Sequence, residues 1–307
     1  MVLGIEIGGT KLQVVQGDRE GRIVVRYRYE VIPEKGAKGI LSQIEEAFSF
    51  LTLKEIQGVG IGFGGPVDPE KGQVVCSHQI QGWDGFDLCA WVTERTHVPA
   101  GIENDANAAA LAEAIVGAGQ NANPVFYITL GSGIGGGLVC NRKIYRGMPP
   151  GEAEVGHIRL NKEGKTLESA CSGWAVDRRV AACSKSHPDS SLGVLTRQSP
   201  ERPARHLAAA LREKDPTALG IRDEIVSDLA FGLSHVSHLF HPQIIVIGGG
   251  LSKLGPLLLE PLRDALPEWL MKAHRPGPEL VFSTLGEDAV PSGALLIAAQ
   301  QLKKDFL

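Results

Sequence analysis

Residues 127–143 read YITLGSGIGGGLVCNRK: an apolar run, a cluster of glycines and a second apolar run. Gly131, Gly133 and Gly136 have the G-x-G-x-x-G spacing of dinucleotide-binding turns, but that fingerprint needs a helix to open at its third glycine. Here the glycines lead directly into Leu-Val-Cys and a short Asn-Arg turn, which predicts a second strand and then a third. The stretch therefore predicts a strand, a glycine turn whose backbone N–H groups can hold phosphate, and a returning strand, rather than a Rossmann crossover.

The same arrangement occurs at the start of the chain, where residues 3–15 read LGIEIGGTKLQVV. This recurrence predicts two related halves. Strand-like and helix-like stretches alternate through both halves, so we expect an α/β fold. Helices are predicted at 39–51, 87–97, from 105 to near Gly117, around 167–183 and 222–239, near 256–271 and from 292. The polar, proline-bearing residues 184–206 are predicted to form an irregular surface segment.

Composition and charge argue against several classes of function. The 307 residues are enough for two domains, 43% of them are hydrophobic, and the net charge of −4 gives no electrostatic basis for binding nucleic acid. No apolar run approaches the ~20 residues that span a bilayer, and the start has no basic segment followed by an apolar one, so we expect neither a membrane anchor nor a signal peptide. The five cysteines form no CxxC pair, which favours a reduced, cytoplasmic protein.

Six motifs together resemble the ROK family of sugar kinases, and they occur in the order seen in that family. The resemblance spans about residues 5 to 300 and implies an actin-like (ribonuclease H-like) two-domain ATPase fold with a central cleft. We expect a smaller domain formed by 1–118 plus 291–307 and a larger one formed by 119–290. The motifs are IEIGGTK (5–11), GIGFGGPVD (60–68), ENDANAAALAE (103–113), TLGSGIGGGLV (129–139), GEAEVGHI (151–158) and IIVIGGG (244–250).

Three glycine turns are candidates for binding ATP. A lone glycine pair is more often a tight hairpin, but three such turns, each following an apolar strand, favour phosphate and nucleotide contacts. The resemblance assigns the third turn to the adenosine side. It also places Glu6 where the family usually has Asp, and Glu keeps a carboxylate for a hydrated Mg²⁺. The turns comprise Gly8, Gly9, Thr10 and Lys11; Gly131, Ser132 and Gly133; and Gly248, Gly249 and Gly250.

Asp105 lies where a predicted strand ends and a predicted helix begins. Its side chain could cap that helix, since Asp and Asn are favoured N-cap residues. The resemblance implies a different role, the base that accepts the proton of the sugar hydroxyl, and a loose phosphoryl-transfer transition state asks little basicity of a carboxylate. The resemblance also makes Asn104 a ligand of a sugar hydroxyl and brings the backbone of Gly65 close to the sugar.

The remaining sugar ligands implied by the resemblance are Glu154, His157 and Glu168. In the family's N-I-x-G-W stretch this chain has Gln79 where Asn is usual, and Trp83 could equally belong to the core or form a platform for the sugar. Many family members bind a structural zinc ion through cysteines that precede the counterpart of Glu168. No cysteine precedes Glu168 in its segment here, and Cys171 with His157 cannot complete a four-ligand site, so we expect no zinc.

The resemblance implies an ATP-dependent hexose kinase, usually homodimeric, that phosphorylates the primary hydroxyl of glucose to give hexose 6-phosphate and ADP. Kinases for N-acetylmannosamine, N-acetylglucosamine or fructose remain open, as does polyphosphate as the phosphoryl donor. A remoter alternative is a non-catalytic, sugar-sensing regulator. Regulators of the family carry a helix-turn-helix module before the first strand, whereas the first strand is expected at residue 2 here.

Overall fold

The computed structural model describes residues 1–77, 79–148, 151 and 153–304, except for the side chains of residues 303 and 304. The chain forms two compact units. The first comprises residues 1–121, 137–153 and 284–307, and the second comprises residues 122–136 and 154–283. The domain boundaries expected from the sequence stay a prediction.

Each unit is built around a five-stranded sheet. The first sheet has the order β3-β2-β1-β4-β7; β1 pairs with β2 and β2 with β3 in antiparallel fashion, whereas β1, β4 and β7 run parallel. All residues of the two central parallel strands are buried, as expected for strands covered on both faces. The strands are β1 Val2–Ile7, β2 Lys11–Gly17, β3 Ile23–Glu30, β4 Val59–Phe63, β5 Val67–Asp68, β6 Gln73–Val74, β7 Ala100–Asn104, β8 Val125–Leu130, β9 Ile134–Cys140, β10 Lys143–Ile144, β11 Ile244–Gly248 and β12 Glu279–Phe282.

The second sheet repeats this topology with the order β10-β9-β8-β11-β12. β9 and β10 pair in antiparallel fashion, and β11 lies parallel to both β8 and β12. The division between the units falls within β9, after Gly136. The matching strand orders confirm the two related halves, and the strands on both sides of the glycine cluster confirm that this stretch is not a Rossmann crossover.

Helices cover the sheets, and none among the described residues is long and apolar enough to span a membrane. The longest helix is capped at its start by Asp215, whose carboxylate accepts hydrogen bonds from the backbone N–H groups of Ala218 (2.9 Å) and Leu192 (3.2 Å). The helices are α1 Gly36–Ser49, α2 Leu88–Thr96, α3 Asp105–Ile115, α4 Leu167–Cys171, α5 Gly173–Ser186, α6 Ser191–Gln198, α7 Leu207–Arg212, α8 Pro216–Phe240, α9 Pro256–Ala265 and α10 Ala289–Lys304.

The C-terminal helix α10 packs unusually closely on the first sheet. A side-chain carbon at Gly60 of β4 would lie 1.9 Å from the backbone oxygen of Ala294, and one at Gly293 would lie 1.9 Å from the backbone oxygen of Ala108 in α3. Only glycine leaves room for such backbone contacts. Because α10 contacts β1 and β4 directly, the core of the first unit includes the last part of the chain.

The segment 184–206 differs from the sequence prediction. It contains the helix α6, whose N-cap is Ser190: the Ser190 side chain accepts a hydrogen bond from the backbone N–H of Gly193 at 2.9 Å. Leu192 is fully buried, so packing on the rest of the second unit stabilises α6. The polar residues around it in the sequence give no helical pattern. Pro203 opens a further helical turn, in the position where its missing N–H is tolerated.

Candidate active site

The first phosphate turn joins β1 to β2. The backbone N–H of Gly8 donates to the backbone oxygen of Lys11 at 2.9 Å, which closes the turn, while the side chain of Thr10 is exposed. A side-chain carbon at Gly9 would lie 1.6 Å from Oε1 of Gln79. The carboxamide of Gln79 therefore lies directly on the turn, and any residue other than glycine at position 9 would displace it.

Glu6 lies at the base of this turn and is buried, with 9% of the residue exposed. One carboxylate oxygen is 3.2 Å from Nζ of Lys11, and the other accepts a hydrogen bond from the side-chain amide of Gln13. Both oxygens thus have partners within the protein. Because Lys11 and Gln13 already engage the two oxygens, these residues fit a hydrated Mg²⁺ held through water better than a directly coordinated one.

Asn104 and Asp105 divide two roles at the junction of β7 and α3. The side chain of Asn104 caps the helix, because its Oδ1 accepts hydrogen bonds from the backbone N–H groups of Ala106 (2.9 Å) and Asn107 (3.3 Å). Asp105 is the first helical residue, and its Oδ1 accepts a hydrogen bond from the N–H of Ala106 at 2.8 Å. The alternative in which Asp105 serves as the N-cap is therefore wrong, since Asn104 already occupies that position.

Two consecutive glycines after β4 bring this junction to the phosphate turn. The N–H of Gly64 donates to the backbone oxygen of Ile7 at 2.8 Å. A side-chain carbon at Gly64 would lie 3.3 Å from Oδ2 of Asp105 and 3.5 Å from Cα of Gly8. The carboxylate and the turn thus approach the same glycine, which we call the Gly64 corner. At the next position, the backbone oxygen of Gly65 accepts a hydrogen bond from the side-chain amide of Asn104 at 3.3 Å.

The second unit carries the other two glycine turns at the ends of neighbouring strands, β8 and β11. The N–H of Gly131 donates to the backbone oxygen of Gly133 at 3.0 Å, and the side chain of Ser132 is exposed. Gly249 has φ of +84° and packs against β8: a side-chain carbon there would lie 2.4 Å from the carbonyl carbon of Leu130. Gly248 ends β11 and Gly250 is exposed with open space beside it, so the exposed backbone of both turns lies at one edge of the second sheet.

The three expected sugar ligands of the second unit meet around Ile134. The backbone N–H of Ile134 donates to Oε2 of Glu168 at 2.8 Å, and Gly156 packs against the backbone oxygen of Ile134. Gly156 lies in the helical turn that carries Glu154 and His157, whose Oε2 and Nε2 atoms are 3.8 Å apart and whose side chains are exposed. Glu168 therefore holds the glycine turn with one oxygen, while Glu154 and His157 remain accessible to a ligand.

Trp83 and Cys171, which the sequence analysis singled out, are both buried. Trp83 is fully buried, and its ring packs edge-on against Phe63 and Phe86 with centroid distances of 5.4 and 5.5 Å, so it belongs to the core. Cys171 is also buried: its thiol donates to the backbone oxygen of Ile225 at 3.7 Å, and burial, with the charge of Asp228, raises its pKa to about 12. Of the GEAEVGHI motif, Glu152 lies outside the described residues.

Sequence reasoning missed three contributions to the site. Gly64, rather than Gly65, borders the Asp105 carboxylate, Gln79 covers the first phosphate turn, and Lys11 forms an ion pair with Glu6. The glycine pair and the Gln in place of Asn were visible in the sequence. The contacts of Gly64 with Asp105 and of Gln79 with Gly9 were not, because these residues lie far apart along the chain.

The glucokinase of Thermotoga maritima is 32% identical over 98% of this chain and 98% of its own length. The crystal structure of a ROK family glucokinase from Streptomyces griseus, in complex with glucose and AMPPNP, is 33% identical and has a TM-score of 0.83 over 97% of this chain and 99% of that chain. The ROK hexokinase from Thermus thermophilus is 28% identical, with a TM-score of 0.78 over 99% of each chain.

These structural matches confirm the expected α/β, actin-like two-domain fold. The profile of the ROK family matches residues 2–301, which is nearly the whole chain. Because a relative above 30% identity also covers almost its full length, this protein belongs to the ROK family.

Proposed function

We propose that the protein is an ATP-dependent glucokinase, which transfers the γ-phosphoryl group of ATP to the primary hydroxyl of glucose and releases glucose 6-phosphate and ADP. The observation that carries the proposal is the Gly64 corner, where Oδ2 of Asp105 and the phosphate turn at Gly8 approach the same residue. The glucokinase of Thermotoga maritima and the Streptomyces griseus enzyme bound to glucose and AMPPNP support it, since each matches nearly the whole chain.

In the proposed reaction, Asp105 accepts the proton of the primary hydroxyl while the hydroxyl oxygen forms a bond to the γ-phosphorus. The bond between that phosphorus and the β–γ bridging oxygen breaks, and its electron pair leaves with ADP. Positioning and charge neutralisation supply most of the catalysis in phosphoryl transfer, so a carboxylate that orients the hydroxyl and takes its proton is sufficient. Asp105 is suited to this role because Asn104, and not Asp105, is the N-cap of the helix.

The glycine turns are proposed to hold ATP. Backbone N–H groups of the Gly8–Lys11 turn and of the Gly131–Gly133 turn would donate to phosphate oxygens, and Gly248–Gly250 would contact the adenosine side. Bound Mg²⁺ neutralises phosphate charge and orients the transferred group. Glu6 would hold that ion through water, since both of its oxygens accept from or pair with protein groups.

Glucose is proposed to bind through groups that both donate and accept hydrogen bonds, which suits a neutral polyhydroxyl ligand. In the first unit these are Asn104, Asp105 and the backbone of Gly65; in the second they are Glu154, His157 and Oε1 of Glu168. We further propose that the enzyme is a cytoplasmic homodimer. All five cysteines are unpaired, as in a reducing compartment, and light scattering on a sizing column would test the dimer.

The test is a coupled assay of ADP release across glucose, fructose, N-acetylglucosamine and N-acetylmannosamine, with ATP as donor and polyphosphate in a parallel series. We expect ATP with glucose to give the highest kcat/KM. Asp105→Asn measured under the same conditions sets the background. Rates with every sugar no higher than that background would refute the proposed function, and a higher kcat/KM with another hexose would reassign the substrate.

A further inference from the structure

A row of three polar side chains crosses the first sheet beside the first phosphate turn. Glu6 on β1 lies directly opposite Gln13 on β2, and Gln13 lies directly opposite Arg28 on β3. Residues that lie opposite each other on neighbouring strands project from the same face of the sheet, so their side chains can meet. All three residues belong to the first unit.

Hydrogen bonds join this row from Arg28 to Glu6. Nε of Arg28 donates to Oε1 of Gln13 at 3.3 Å, and Nε2 of Gln13 donates to Oε2 of Glu6. Gln13 is fully buried, although glutamine is a mostly exposed residue type in folded proteins. A buried amide costs free energy unless its polar atoms are hydrogen-bonded. The buried position of Gln13 therefore depends on its contacts with Arg28 and Glu6.

The chemistry of the two neighbours allows one orientation of the Gln13 amide. A guanidinium can only donate hydrogen bonds, and an ionised carboxylate can only accept them. The carbonyl oxygen of Gln13 must therefore face Arg28, and its NH₂ group must face Glu6. Arg28 is itself held on its other side, because a second guanidinium nitrogen donates to Oε2 of Glu287 at 2.8 Å.

The row ends on the carboxylate that the proposed function uses for Mg²⁺. Gln13 bonds to Oε2 of Glu6, and Nζ of Lys11 lies 3.2 Å from Oε1. A carboxylate with a partner on each oxygen has little freedom to rotate. Of these two partners only Lys11 carries a charge, so Gln13 restrains Glu6 without adding a second positive charge beside it.

We propose that Gln13 is a positioning residue for Glu6: with its amide oriented by Arg28, it fixes the carboxylate in the orientation that holds hydrated Mg²⁺ in the ATP complex. The inference rests on the nucleotide-binding part of the proposed function, because it assumes that Glu6 acts on the metal ion of bound ATP. It assigns to Gln13 and Arg28 no contact with the substrate or the ion. The expected consequence is a loss of affinity for the nucleotide with Mg²⁺ and not for the nucleotide alone.

The experiment measures binding of AMPPNP, a non-hydrolysable analogue of ATP, by calorimetry in Mg²⁺ and, separately, in EDTA. The wild type is compared with Gln13→Met, Glu6→Gln and the double variant Glu6→Gln/Gln13→Met. Methionine keeps the length of the side chain and removes both polar atoms. Glucose binding and the melting temperature are recorded for each protein, because a general disturbance of the fold would change them as well.

Two further variants test the part of Arg28. Arg28→Met removes the group that orients the Gln13 amide, and it should fold because the Arg28 side chain is 48% exposed. Arg26→Met is the matched control: Arg26 lies two residues earlier on β3 and pairs with Asp288, next to Glu287. Each of these variants loses one positive charge and one ion pair with the helical turn 286–288. The Arg28 pair of variants decides the question if Gln13→Met does not fold.

We expect Gln13→Met to weaken binding of AMPPNP in Mg²⁺ by about 10-fold, the lower end of the effect that is typical when a metal ligand loses its hydrogen-bond partner. The lower end is expected because Glu6 holds the ion through water. Binding in EDTA and glucose binding should stay close to the wild type. Arg28→Met should show the same selective loss to a smaller extent, and Arg26→Met should bind like the wild type. The double variant should bind no more weakly than Glu6→Gln alone, because Gln13 acts only through Glu6.

Additive losses in the double variant would overturn the inference, because Gln13 would then act independently of Glu6. Equal losses in Mg²⁺ and in EDTA, with a lower melting temperature, would overturn it in favour of a purely structural role. Equal binding in Mg²⁺ by Arg28→Met and Arg26→Met would overturn the role given to Arg28. The proposed function fails separately: a protein that shows the Mg²⁺-selective losses but phosphorylates no sugar in the coupled assay would support this inference and refute the kinase.

Discussion

Replacing Asp105 by Asn changes the charge of one group and almost nothing of its shape. The Oδ1 atom of Asn can still accept the hydrogen bond from the N–H of Ala106, and the cap provided by Asn104 is untouched. What stability is lost comes from removing a negative charge at the start of α3, where the helix dipole favours it by about 0.3–1 kcal/mol. For a protein of this size such a loss lowers the melting temperature by only a few degrees, roughly 2–4 °C per kcal/mol.

The effect on catalysis should be far larger. Loss of a general base typically lowers turnover by about 10²–10⁴-fold, which corresponds to roughly 3–5 kcal/mol of transition-state stabilisation. Glucose affinity should fall much less, because the amide still bonds to a hydroxyl. The predicted effect on turnover thus exceeds the predicted effect on folding several-fold, which makes the two separable in one variant.

The decisive assay is single-turnover phosphorylation of glucose by rapid quench, since product release limits kcat in many kinases and would hide a change in chemistry. Asp105→Glu is the matched control: it keeps the charge at the helix start but moves the carboxylate by one methylene. We expect its stability to match the wild type and its rate to fall because of misplacement. A folded Asp105→Asn protein that turns over within about threefold of the wild type would contradict the general-base assignment and remove the main support for this site.

Three further predictions concern other parts of the molecule. Gly249→Ala should lower the free energy of unfolding by about 2 kcal/mol or more, because φ is +84° and the new carbon would lie 2.4 Å from the backbone of Leu130. Gly250→Ala is the control: it has open space around it and should leave the urea midpoint unchanged. Equal urea midpoints for the two variants would contradict the close contact at Gly249. Asp215→Ala should destabilise by about 1–3 kcal/mol at neutral pH. Burial raises the pKa of Asp215, but the backbone hydrogen bonds lower it by more, so the net pKa shift is downward. The contribution of Asp215 to stability should therefore be present above about pH 4 and disappear as the pH falls through the lowered pKa. Urea unfolding of both proteins from neutral to acidic pH checks this, and a difference that persists into strong acid would count against it. Finally, elemental analysis of the purified protein should find no stoichiometric zinc; one zinc per chain that is lost on replacing His157 would refute the expectation.

The two related halves could be predicted from the sequence, because the pattern of strand, glycine turn and returning strand at residues 3–15 recurs at residues 125–139. Helices α6 and α7 could not. The residues around α6 in the sequence are mostly polar, and the signals that define it, the Ser190 cap and the buried Leu192, are significant only once the neighbouring helices are in place. Helix α7 has only six residues, too few to show a helical period. Local propensity is overridden here by tertiary packing.

For the candidate site, too, some features could be predicted from the sequence and others could not. Its residues were found by motif, because backbone donors and carboxylates at strand ends are visible in the sequence. Their partners were not: the bond between Glu168 and the N–H of Ile134 joins residues 34 positions apart, and the contact between Gly64 and the Asp105 carboxylate depends on the register of β4 and β7. Local sequence also could not decide between Asn104 and Asp105 as the helix cap, since both residue types are favoured there.

The packing of α10 on β1 and β4 also has a consequence for biosynthesis. The first sheet leaves the ribosome early, but the helix that covers it is translated last. At about 5–20 residues per second, the residues between Asn121 and Thr284 take roughly 8–30 s to synthesise, and throughout that time one face of the nascent sheet lacks its permanent cover. At Gly60 of β4 the backbone of α10 approaches so closely that only glycine leaves room for it. A nascent chain stalled before Ala289 should therefore recruit chaperones through this sheet even though its N-terminal strands are complete.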